Sequence, residues 1–329
     1  MRALLPVQQK ISPTVFFDRS GMGLHGTVGL WEILRYGWTR PPKGKYRIWH
    51  SRRPLDQLLG LALKYVLLQP WKLVYTSPSP RRHGWFWRAV VNRSSAIIAV
   101  TPNAASFLDW HTKIIPHGVD VNDFTPSKNR SLAWREGGLT GKYGIGIFGR
   151  IRPDKGTDLF VSAMCEFLPR HPEFTAVISG LCKPNHRNFF DALVQQIKRA
   201  GLEKRILFLG DLSVEEIKLW FQRISLCVAV PRSEGFGLTP LEAMSSGTAA
   251  LTSSEGYFPQ MIVPGLNGDI VPTDNVTALL HALDDLCGNP ESLLELGKQA
   301  RAYVEKHHSI DREAKEIQDL YDEVLSQQS

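Results

Sequence analysis

Two glutamates eight residues apart, Glu234 and Glu242, flank a glycine-bearing turn that could bind an anion. A short apolar run predicts a strand before the turn, and Thr239 and Pro240 predict the start of a helix after it, with Glu242 on the first helical turn. Unpaired backbone N–H groups and the positive end of a helix favour a phosphate at such a turn. The two carboxylates are better suited to accept hydrogen bonds from neutral sugar hydroxyls. An ordinary α/β unit with solvated glutamates is the alternative that this spacing alone leaves open.

Two cations, Arg150 and Lys155, lie on a single predicted loop between a strand and a helix. The strand covers residues 143–148 and the helix covers residues 158–168, so the loop follows the carboxyl end of a strand. Open α/β sheets bind their ligands at this end, and both side chains can converge there on one anion. The alternative is two solvated cations beside a helix start.

The glutamate turn resembles the donor site of family 4 retaining glycosyltransferases, which have the GT-B fold. The resemblance rests on the string EGFGLTPLEAM, which runs from Glu234 to Met244, and on Gly247-Thr248 after it. It implies that Glu234 contacts the donor sugar and that the backbone amides of Phe236 to Thr239 hold the diphosphate. By the same resemblance, Glu242 takes the ribose hydroxyls.

The cationic loop matches a second element of that family, G-R-x-x-x-x-K-G, which begins here at Gly149. By this resemblance Arg150 and Lys155 grip the leaving diphosphate and act as catalytic residues with the first glutamate. Two strands of the same predicted domain end in Gly180 and Gly210, where a base could approach the backbone closely. The expected donor-binding residues are therefore Gly149, Gly180, Gly210, Gly235, Phe236, Gly237, Leu238, Thr239 and Glu242.

The sequence contains no D-x-D motif, so the metal clamp of other nucleotide-sugar transferases has no evident ligands. Fixed cations and helix-end N–H groups would then neutralise the leaving group, and we expect neither a metal nor a cofactor beside the nucleotide-sugar donor. A glycine cluster, Gly21 to Gly26, fits the dinucleotide fingerprint G-x-G-x-x-G. It lacks the acidic residue about twenty positions further on that would bind a ribose. A surface turn is therefore preferred, and an NAD-dependent oxidoreductase stays a weaker alternative.

The positive charge of the chain is concentrated in its first part. Residues 1–142 carry 21 Lys+Arg against 7 Asp+Glu, whereas residues 143–329 carry 18 against 25. A basic half of this kind indicates an anionic partner, which could be a nucleic acid or an anionic membrane surface and its lipids.

Basic residues also follow two predicted strands of this half, near positions 50 and 77. Parallel strands bring such ends together at one edge of a sheet, which predicts an anionic acceptor site, with a solvated basic rim as the alternative. The residues of this expected acceptor site are His50, Arg52, Arg53, Arg81 and Arg82. His83 is placed with the catalytic residues, because His83 or His117 could contact the sugar or the acceptor. A structural role stays open for either histidine.

Three stretches, residues 48–53, 75–83 and 148–164, are similar to lipopolysaccharide core mannosyltransferases. Those enzymes transfer mannose from GDP-mannose to the inner-core Kdo sugar of the lipid A precursor. The resemblance therefore implies GDP-mannose as the donor and an anionic, lipid-linked saccharide acceptor at the inner-membrane surface, which agrees with the basic first half. Nucleic acid is then not expected as a partner, and the oligomeric state stays open.

Apolar strands that alternate with helices predict parallel, doubly wound sheets, and the chain is long enough for two such domains. We therefore expect an α/β protein of the GT-B type, with two Rossmann-like doubly wound domains facing a cleft. The expected boundaries are residues 1–125 for an acceptor domain, 126–142 for a linker, 143–308 for a donor domain, and 309–329 for a terminal helix that crosses back to the first domain.

The first residues, Leu4 to Gln9, resemble the end of the family's first helix, so the first domain is expected to lack its opening βα unit. Two explanations stay open. Either the true start lies upstream, or the chain has lost an edge of this domain and with it catalytic activity. The second explanation would leave a nucleotide-sugar or lipid-binding homologue.

Compartment follows from cysteine use and from the length of the apolar runs. Four cysteines without C-x-x-C spacing predict core thiols in a reducing compartment. The apolar start is too short for a signal peptide, and no run approaches the length of a membrane span. We therefore expect a cytoplasmic protein that is peripheral at the inner membrane.

Overall fold

The computed structural model describes residues 3–18, 26–39, 41, 44–78, 84–108 and 112–327. The chain forms two compact units, of which the first combines Met1–Gly118 with Ile310–Ser329 and the second is Val119–Ser309. Each unit contains a parallel β-sheet with helices between its strands, so each has the α/β architecture expected from the alternation of apolar strands and helices.

The first unit contains a four-stranded parallel sheet of order β3-β4-β5-β6 and a separate parallel pair, β1-β2. Its central strands are buried almost throughout, as parallel strands covered on both faces must be. The elements of its first segment are, in chain order, α1 (Leu4–Ile11), β1 (Phe16–Phe17), β2 (Thr27–Val28), α2 (Leu30–Trp38), β3 (Arg47–Ser51), α3 (Pro54–Leu61), β4 (Trp71–Ser77), α4 (Trp85–Val91), β5 (Ala96–Ala99), α5 (Pro102–Ala105) and β6 (Thr112–Ile114). Helix α3 continues into a π-helical turn, Ala62–Val66.

The second unit is built on a six-stranded parallel sheet of order β12-β11-β10-β7-β8-β9. Its elements are, in chain order, α6 (Arg130–Glu136), β7 (Tyr143–Phe148), α7 (Thr157–Phe167), β8 (Phe174–Ser179), α8 (Arg187–Arg199), β9 (Ile206–Gly210), α9 (Val214–Arg223), β10 (Leu226–Ala229), α10 (Leu238–Ser245), β11 (Ala249–Ser253), α11 (Phe258–Met261), β12 (Gly268–Val271), α12 (Val276–Cys287) and α13 (Pro290–His307). Single 3₁₀ turns cover Pro153–Lys155, Leu168–Arg170 and Pro184–His186.

The strand order of the second unit reverses direction between β7 and β10. The chain runs outward from β7 through β8 to β9, and then returns to place β10 on the other side of β7, with Leu226 opposite Ile145. Such a switch point opens a crevice beyond the carboxyl ends of the two strands, where doubly wound sheets bind ligands. The loops that follow β7 and β10 therefore form the candidate site of this unit.

The last helix, α14 (Ile310–Ser326), belongs to the first unit. Its apolar stripe, which includes Ile317 and Leu320, packs in one core with Leu4 of α1 and with Val74 of β4. This face of the first sheet is therefore covered by the two ends of the first unit's chain.

The segment 126–142, expected as a linker from its glycine and polar content, is part of the second unit. Helix α6 buries Trp134, whose indole Nε1 donates to the carbonyl of Gly141 at 3.3 Å. The guanidinium of Arg130 donates to the carbonyls of Ser246 at 3.0 Å and Gly247 at 2.7 Å, and burial lowers the pKa of Arg130 to about 10. One buried indole and one buried guanidinium thus hold a polar segment that composition alone assigns to a linker.

None of the helices described here combines the length and the apolar composition that crossing a bilayer requires. All four cysteines are free thiols, with Cys227 and Cys287 buried and Cys165 and Cys182 partly buried.

Candidate functional site

The loops after β7 and β10 enclose a pocket at the switch point of the second sheet. Its empty volume, including the open mouth, is about 500 Å³. Apolar strand ends form its floor and polar loop residues its rim, as is usual for small-molecule sites. The residues that line it are Ile147, Phe148, Gly149, Lys155, Thr157, Ile178, Ala229, Pro231, Glu234, Gly237, Thr239, Pro240 and Phe258.

An ion pair between Lys155 and Glu234 crosses this pocket. The Lys155 ammonium donates to Oε2 of Glu234 at 2.6 Å, and each side chain is 22% exposed. The second carboxylate oxygen of Glu234 accepts the backbone N–H of Gly235 at 2.9 Å. The structure therefore brings together one cation and one carboxylate that are 79 residues apart in the sequence.

The start of α10 supplies backbone donors to the same pocket. The helix begins at Leu238 with Gly237 as its N-cap, and no side chain caps this end. Gly237 has a φ of 94°, and a Cβ there would lie 2.1 Å from Cε1 of Phe258, so this position requires glycine. Because the first N–H groups of a helix have no partner inside the helix, the amides of Leu238 and Thr239 are suited to bind an anion.

The observed start of α10 changes the expected position of Glu242. Since the helix begins at Leu238, Glu242 is its fifth residue and lies on the second helical turn. Glu242 is not among the pocket-lining residues, whereas Glu234 is. The aromatic ring of Phe236 is buried and stacks on Tyr257, with centroids 4.9 Å apart, so the ring serves packing.

The three glycines at the ends of β7, β8 and β9 have different surroundings. A Cβ on Gly180 would lie 1.8 Å from the carbonyl oxygen of Gly149, so Gly180 is required by the approach of two strand ends. The Gly180 N–H donates to the carbonyl of Gly210 at 2.8 Å. Gly149 and Gly210 have open space where a Cβ would be, and of the three only Gly149 lines the pocket. Backbone packing against Gly149 therefore explains why position 180 is a glycine, and the sequence alone could not reveal this contact.

Arg150 and Lys155 have different surroundings in the structure. Arg150 is exposed and is not among the pocket-lining residues, whereas Lys155 ends the 3₁₀ turn that points toward Glu234. Gly156 follows in a left-handed conformation, and a Cβ there would lie 2.0 Å from the carbonyl oxygen of Val230. The loop after β7 is therefore packed directly onto the chain that leaves β10.

A third cation, Arg232, ties the two loops together and was missed by the sequence analysis. Its guanidinium makes a bidentate ion pair with Asp158 at 2.9 and 2.8 Å, and its Nε donates to Asp274 at 2.8 Å. The backbone N–H of Arg232 donates to the carbonyl of Asp154 at 2.9 Å, and its guanidinium also donates to the carbonyl of Pro153. Arg232 therefore fixes the turn that carries Lys155 relative to the loop that carries Glu234.

The carboxyl group of Glu242 has an environment that disfavours charge. Burial, and secondarily the nearby carboxylate of Asp123, raises the pKa of Glu242 to about 7. The neighbouring Cys227 is fully buried, and burial raises the pKa of its thiol. Glu242 is thus a titratable hydrogen-bonding group near neutral pH.

His50, an expected acceptor residue of the first unit, is engaged in internal contacts. Its Nδ1 hydrogen-bonds the hydroxyl of Tyr321 at 2.5 Å and its Nε2 hydrogen-bonds Oγ1 of Thr76 at 2.6 Å. Burial, with a smaller effect of the Arg52 charge, lowers the pKa of His50 to about 3. Both ring nitrogens are used and the ring stays neutral, so His50 joins β3 to α14. This differs from the acceptor contact expected from its position after a strand.

His117, the second histidine considered, lies in a similar internal arrangement. Its Nδ1 is 3.0 Å from Oε1 of Glu313, and the Gly118 N–H donates to Oε2 of Glu313 at 2.8 Å. Burial raises the pKa of Glu313, but the His117 hydrogen bond and charge, the Gly118 N–H and the Arg52 charge lower it by more, so the net shift is downward. Glu313 therefore holds the loop after β6 against α14.

The basic residues of the expected acceptor site are only partly described by the structure. Arg52 is half-buried, and its Nε has no hydrogen-bond partner among the described residues. Arg53 is exposed at the N-cap of α3. Arg81, Arg82 and His83 lie outside the described residues, as do residues 21–25 of the glycine cluster.

We expect Glu242→Gln to change the pH dependence of stability. The folded protein holds the Glu242 proton up to pH about 7, whereas an unfolded carboxyl loses it near 4.5, so stability falls as pH rises between these values. The neutral amide removes this loss. Thermal or urea unfolding at a series of pH values should show the variant gaining up to about 3 kcal/mol over the parent by pH 8 and nothing at pH 4.

The matched control for this prediction is Glu203→Gln, which changes an exposed carboxylate of the same unit. It should show no comparable gain at pH 8. An equal stability difference between Glu242→Gln and the parent at pH 4 and pH 8 would contradict the assignment.

Comparison with known proteins shows the family. A model described as glycosyl transferases group 1 matches residues 134–303. The lipopolysaccharide core biosynthesis mannosyltransferase LpcC of Rhizobium leguminosarum bv. viciae is 39% identical over 295 residues, which cover 90% of this chain and 83% of that protein. The lipopolysaccharide core biosynthesis mannosyltransferase LpsB of Rhizobium meliloti (strain 1021) is 32% identical over 325 residues, covering 98% and 92%.

Solved structures agree with this result. The C-terminal domain of a glycosyl transferase group 1 family protein (LpcC) from Francisella tularensis is 36% identical, with a TM-score of 0.56, and covers 58% of this chain and 99% of that domain. Anabaena Alr3699/HepE in complex with UDP has a TM-score of 0.76 at 19% identity, covering 89% and 81%, and so shows the shared GT-B fold alone. From the pocket, its two motifs and these relatives, we conclude that the chain belongs to the glycosyl transferases group 1 family and is a glycosyltransferase.

Proposed function

We propose that this glycosyltransferase moves mannose from GDP-mannose to the Kdo inner core of a lipopolysaccharide precursor, with retention and without a metal ion. The observation that carries the donor part is the pocket at the β7–β10 switch point, where Lys155, Glu234 and the uncapped start of α10 converge. The choice of mannose rests on the names of the two rhizobial relatives and on the sequence resemblance.

The first step of the proposal is an exchange of partners in the pocket. A diphosphate carries more negative charge than a carboxylate, so it competes for the Lys155 ammonium while the amides of Leu238 and Thr239 donate to its oxygens. Glu234 then loses its cation and accepts hydrogen bonds from the hydroxyls of the donor sugar. Glu242 accepts hydrogen bonds from the ribose hydroxyls. Its carboxyl group, with a pKa of about 7, titrates near neutral pH.

The chemical step breaks the bond between the anomeric carbon and the β-phosphate oxygen, and the electron pair leaves with the diphosphate. An acceptor hydroxyl forms the new bond on the same face of the sugar and gives its proton to the departing β-phosphate oxygen, which leaves from that face. Positive charge develops on the sugar, and negative charge develops on the leaving group near Lys155 and the α10 amides. Arg150, exposed on the same loop, would join them by moving its side chain. Stabilising developing charge with fixed donors is usually the largest catalytic contribution.

The proposed acceptor is anionic and lipid-linked. Its support is the excess of basic residues in positions 1–142 and the buried Nε of Arg52, which has no partner among the described residues. A carboxylate such as that of Kdo would satisfy this donor. Arg53, Arg81 and Arg82 as acceptor contacts, and His83 as a catalytic residue, stay predictions. A nucleotide-sugar donor and a lipid-linked acceptor would place the enzyme on the cytoplasmic side of the inner membrane, as a peripheral protein.

We expect the double variant Arg150→Ala, Lys155→Ala to lose transfer activity. Each substitution removes a cation that would stabilise the leaving diphosphate. Loss of one such contact costs about 10²–10³-fold in kcat. The measurement is release of GDP from GDP-mannose in the presence of a Kdo-terminated acceptor, with and without EDTA, which the proposed reaction tolerates.

The control for this double variant is Arg199→Ala, Lys198→Ala, which removes two cations from the end of α8. It should keep the turnover of the parent, since it changes the net charge equally without touching the pocket. Parental turnover in the Arg150, Lys155 double variant would refute the diphosphate role. If the parent binds GDP but transfers no sugar, the result favours the alternative that the chain is a nucleotide-sugar-binding homologue without catalytic activity.

We expect Arg232→Ala to weaken donor use while leaving acceptor use unchanged. The variant loses the ties from Arg232 to Asp158 and Asp274 that hold the Lys155 turn in place. Because a misplacement of about 1 Å can cost about 10²-fold, kcat/KM for the donor should fall at least tenfold with an unchanged KM for the acceptor.

The matched control is Arg170→Ala, which breaks a second Arg–Asp pair of the same unit, between Arg170 and Asp284 at 2.9 Å. It should leave both kinetic constants near those of the parent. If Arg232→Ala lowers the melting temperature but leaves donor kcat/KM intact, the residue serves stability alone and the positioning role is wrong.

A further inference from the structure

Helix α2 of the first unit shows solvent a face that is unusually aromatic. It buries two of its nine residues, Ile33 and Gly37. Trp31 is 83% exposed and Trp38 is 63% exposed. They are seven residues apart, which is two helical turns, so both indoles project from one side of the helix. Arg35 is exposed one turn after Trp31 and therefore lies on the same side.

The turn that follows α3 shows a second group of exposed apolar side chains. Tyr65 is 55% exposed, Val66 75% and Leu68 83%. Leu68 has a φ of 52°, a left-handed conformation that a leucine adopts only under constraint. Leu68 thus presents its side chain to water in an unfavourable backbone conformation, and with Tyr65 and Val66 it forms a contiguous apolar group of the kind that marks a binding surface.

Gln69 joins this turn to α2. Its side chain is buried, its Nε2 donates to the carbonyl of Leu34 at 3.0 Å, and its Oε1 accepts the indole N–H of Trp71 at 2.8 Å. A Cβ on Gly37 would lie 1.9 Å from Oε1 of Gln69, so the glycine lets the two elements touch. Leu68 is therefore held beside the second half of α2, and the two exposed groups are neighbours.

Charges around these side chains are mainly positive. Arg35 lies between the two tryptophans, and the Lys64 ammonium lies 5.1 Å from the centre of the Tyr65 ring. The one acidic residue of α2, Glu32, accepts the Gly29 N–H at 2.7 Å and so serves as part of the helix start. Apolar, aromatic and basic side chains are thus interleaved on one surface.

We propose that this aromatic face, defined as Trp31, Arg35, Trp38, Lys64, Tyr65, Val66 and Leu68, is the surface through which the first unit binds a phospholipid bilayer with anionic headgroups. The inference rests on the proposed function in one respect, that the acceptor is lipid-linked. It adds a definite surface and an apolar mode of binding, which net charge alone does not provide.

Three physical properties favour a bilayer over a protein partner. Tryptophan is enriched at membrane–water interfaces because its ring is apolar and its N–H is polar. An amphipathic helix lying in the interface buries its apolar side chains to about 5–10 Å while basic residues stay among the headgroups. Each Lys or Arg near an anionic bilayer adds electrostatic attraction to its headgroups, and Arg35 and Lys64 would supply it from this face.

The experiment is co-sedimentation of the full chain with vesicles of phosphatidylcholine alone and of phosphatidylcholine with phosphatidylglycerol. The parent should bind both, and the anionic vesicles more tightly. Trp31→Ala with Trp38→Ala should lower the partition coefficient on anionic vesicles about tenfold or more, because the apolar contribution is lost. Trp31→Phe with Trp38→Phe should keep most of the binding, since the apolar rings remain.

The matched control is Leu132→Ala with Leu219→Ala, which removes two exposed leucines of the second unit, 53% and 48% exposed. It should bind vesicles like the parent. Equal vesicle binding by the tryptophan-to-alanine variant and the parent overturns the proposal, as does a parent that stays in the supernatant with both vesicles. A parent dimer in sedimentation velocity that the same variant dissociates also overturns it, because the face would then join two copies.

Transfer to a delipidated, water-soluble acceptor separates this inference from the proposed function. The Trp31→Ala, Trp38→Ala variant should keep the parental rate on that acceptor and lose rate on the same acceptor embedded in vesicles. A reduced rate on the soluble acceptor would place the two tryptophans in substrate binding and overturn the lipid surface. Absence of soluble transfer by the parent refutes the proposed acceptor, while the vesicle measurement still decides the surface.

Discussion

The ion pair between Lys155 and Glu234 is the interaction on which the candidate site depends. Two charged groups 79 residues apart meet at 2.6 Å because β7 and β10 are neighbouring parallel strands whose loops leave the same edge of the sheet. Arg232 then fixes one loop against the other, and Gly156 lets their backbones touch. The result is a pocket whose cation and carboxylate are held in place before any ligand arrives. In the proposed mechanism, a cation that is already in place lowers the cost of ordering charge around the leaving diphosphate.

The local structure of the two loops was the part that could be predicted from the sequence. The glycine-bearing turn and the loop of Lys155 are each specified by a short run of neighbouring residues, and both line the pocket as their positions after strands predicted. The helix start differs slightly, at Leu238 rather than at Thr239, and Arg150 is not among the pocket-lining residues. The parallel α/β class was predictable for the same reason, because buried parallel strands are continuous apolar runs. Arg232 was missed since its partners, Asp158 and Asp274, come from distant parts of the chain. No motif records a contact of that kind.

Long-range packing explains where the structure differs from the expectations drawn from the sequence. His50 follows a strand, as an acceptor residue would, but α14 brings Tyr321 to it from 271 residues away and occupies its Nδ1. The segment around Trp134 is polar enough for a linker, yet one buried ring and the guanidinium of Arg130 attach it to the second unit. Gly180 was expected to allow close approach by a ligand, but its lack of a Cβ makes room for the carbonyl oxygen of Gly149. In each case the deciding partner lies far away in sequence.

The most direct test of the central claim is calorimetric titration of the parent protein with GDP and with GMP. In the proposed mechanism, Lys155 exchanges Glu234 for the β-phosphate, which the uncapped α10 amides also bind. GMP lacks that phosphate, so GDP should bind at least about tenfold more tightly, because charge-assisted hydrogen bonds contribute about 1.5–3 kcal/mol each. Equal affinity for the two nucleotides would contradict the account, since the pocket would then not be a diphosphate site.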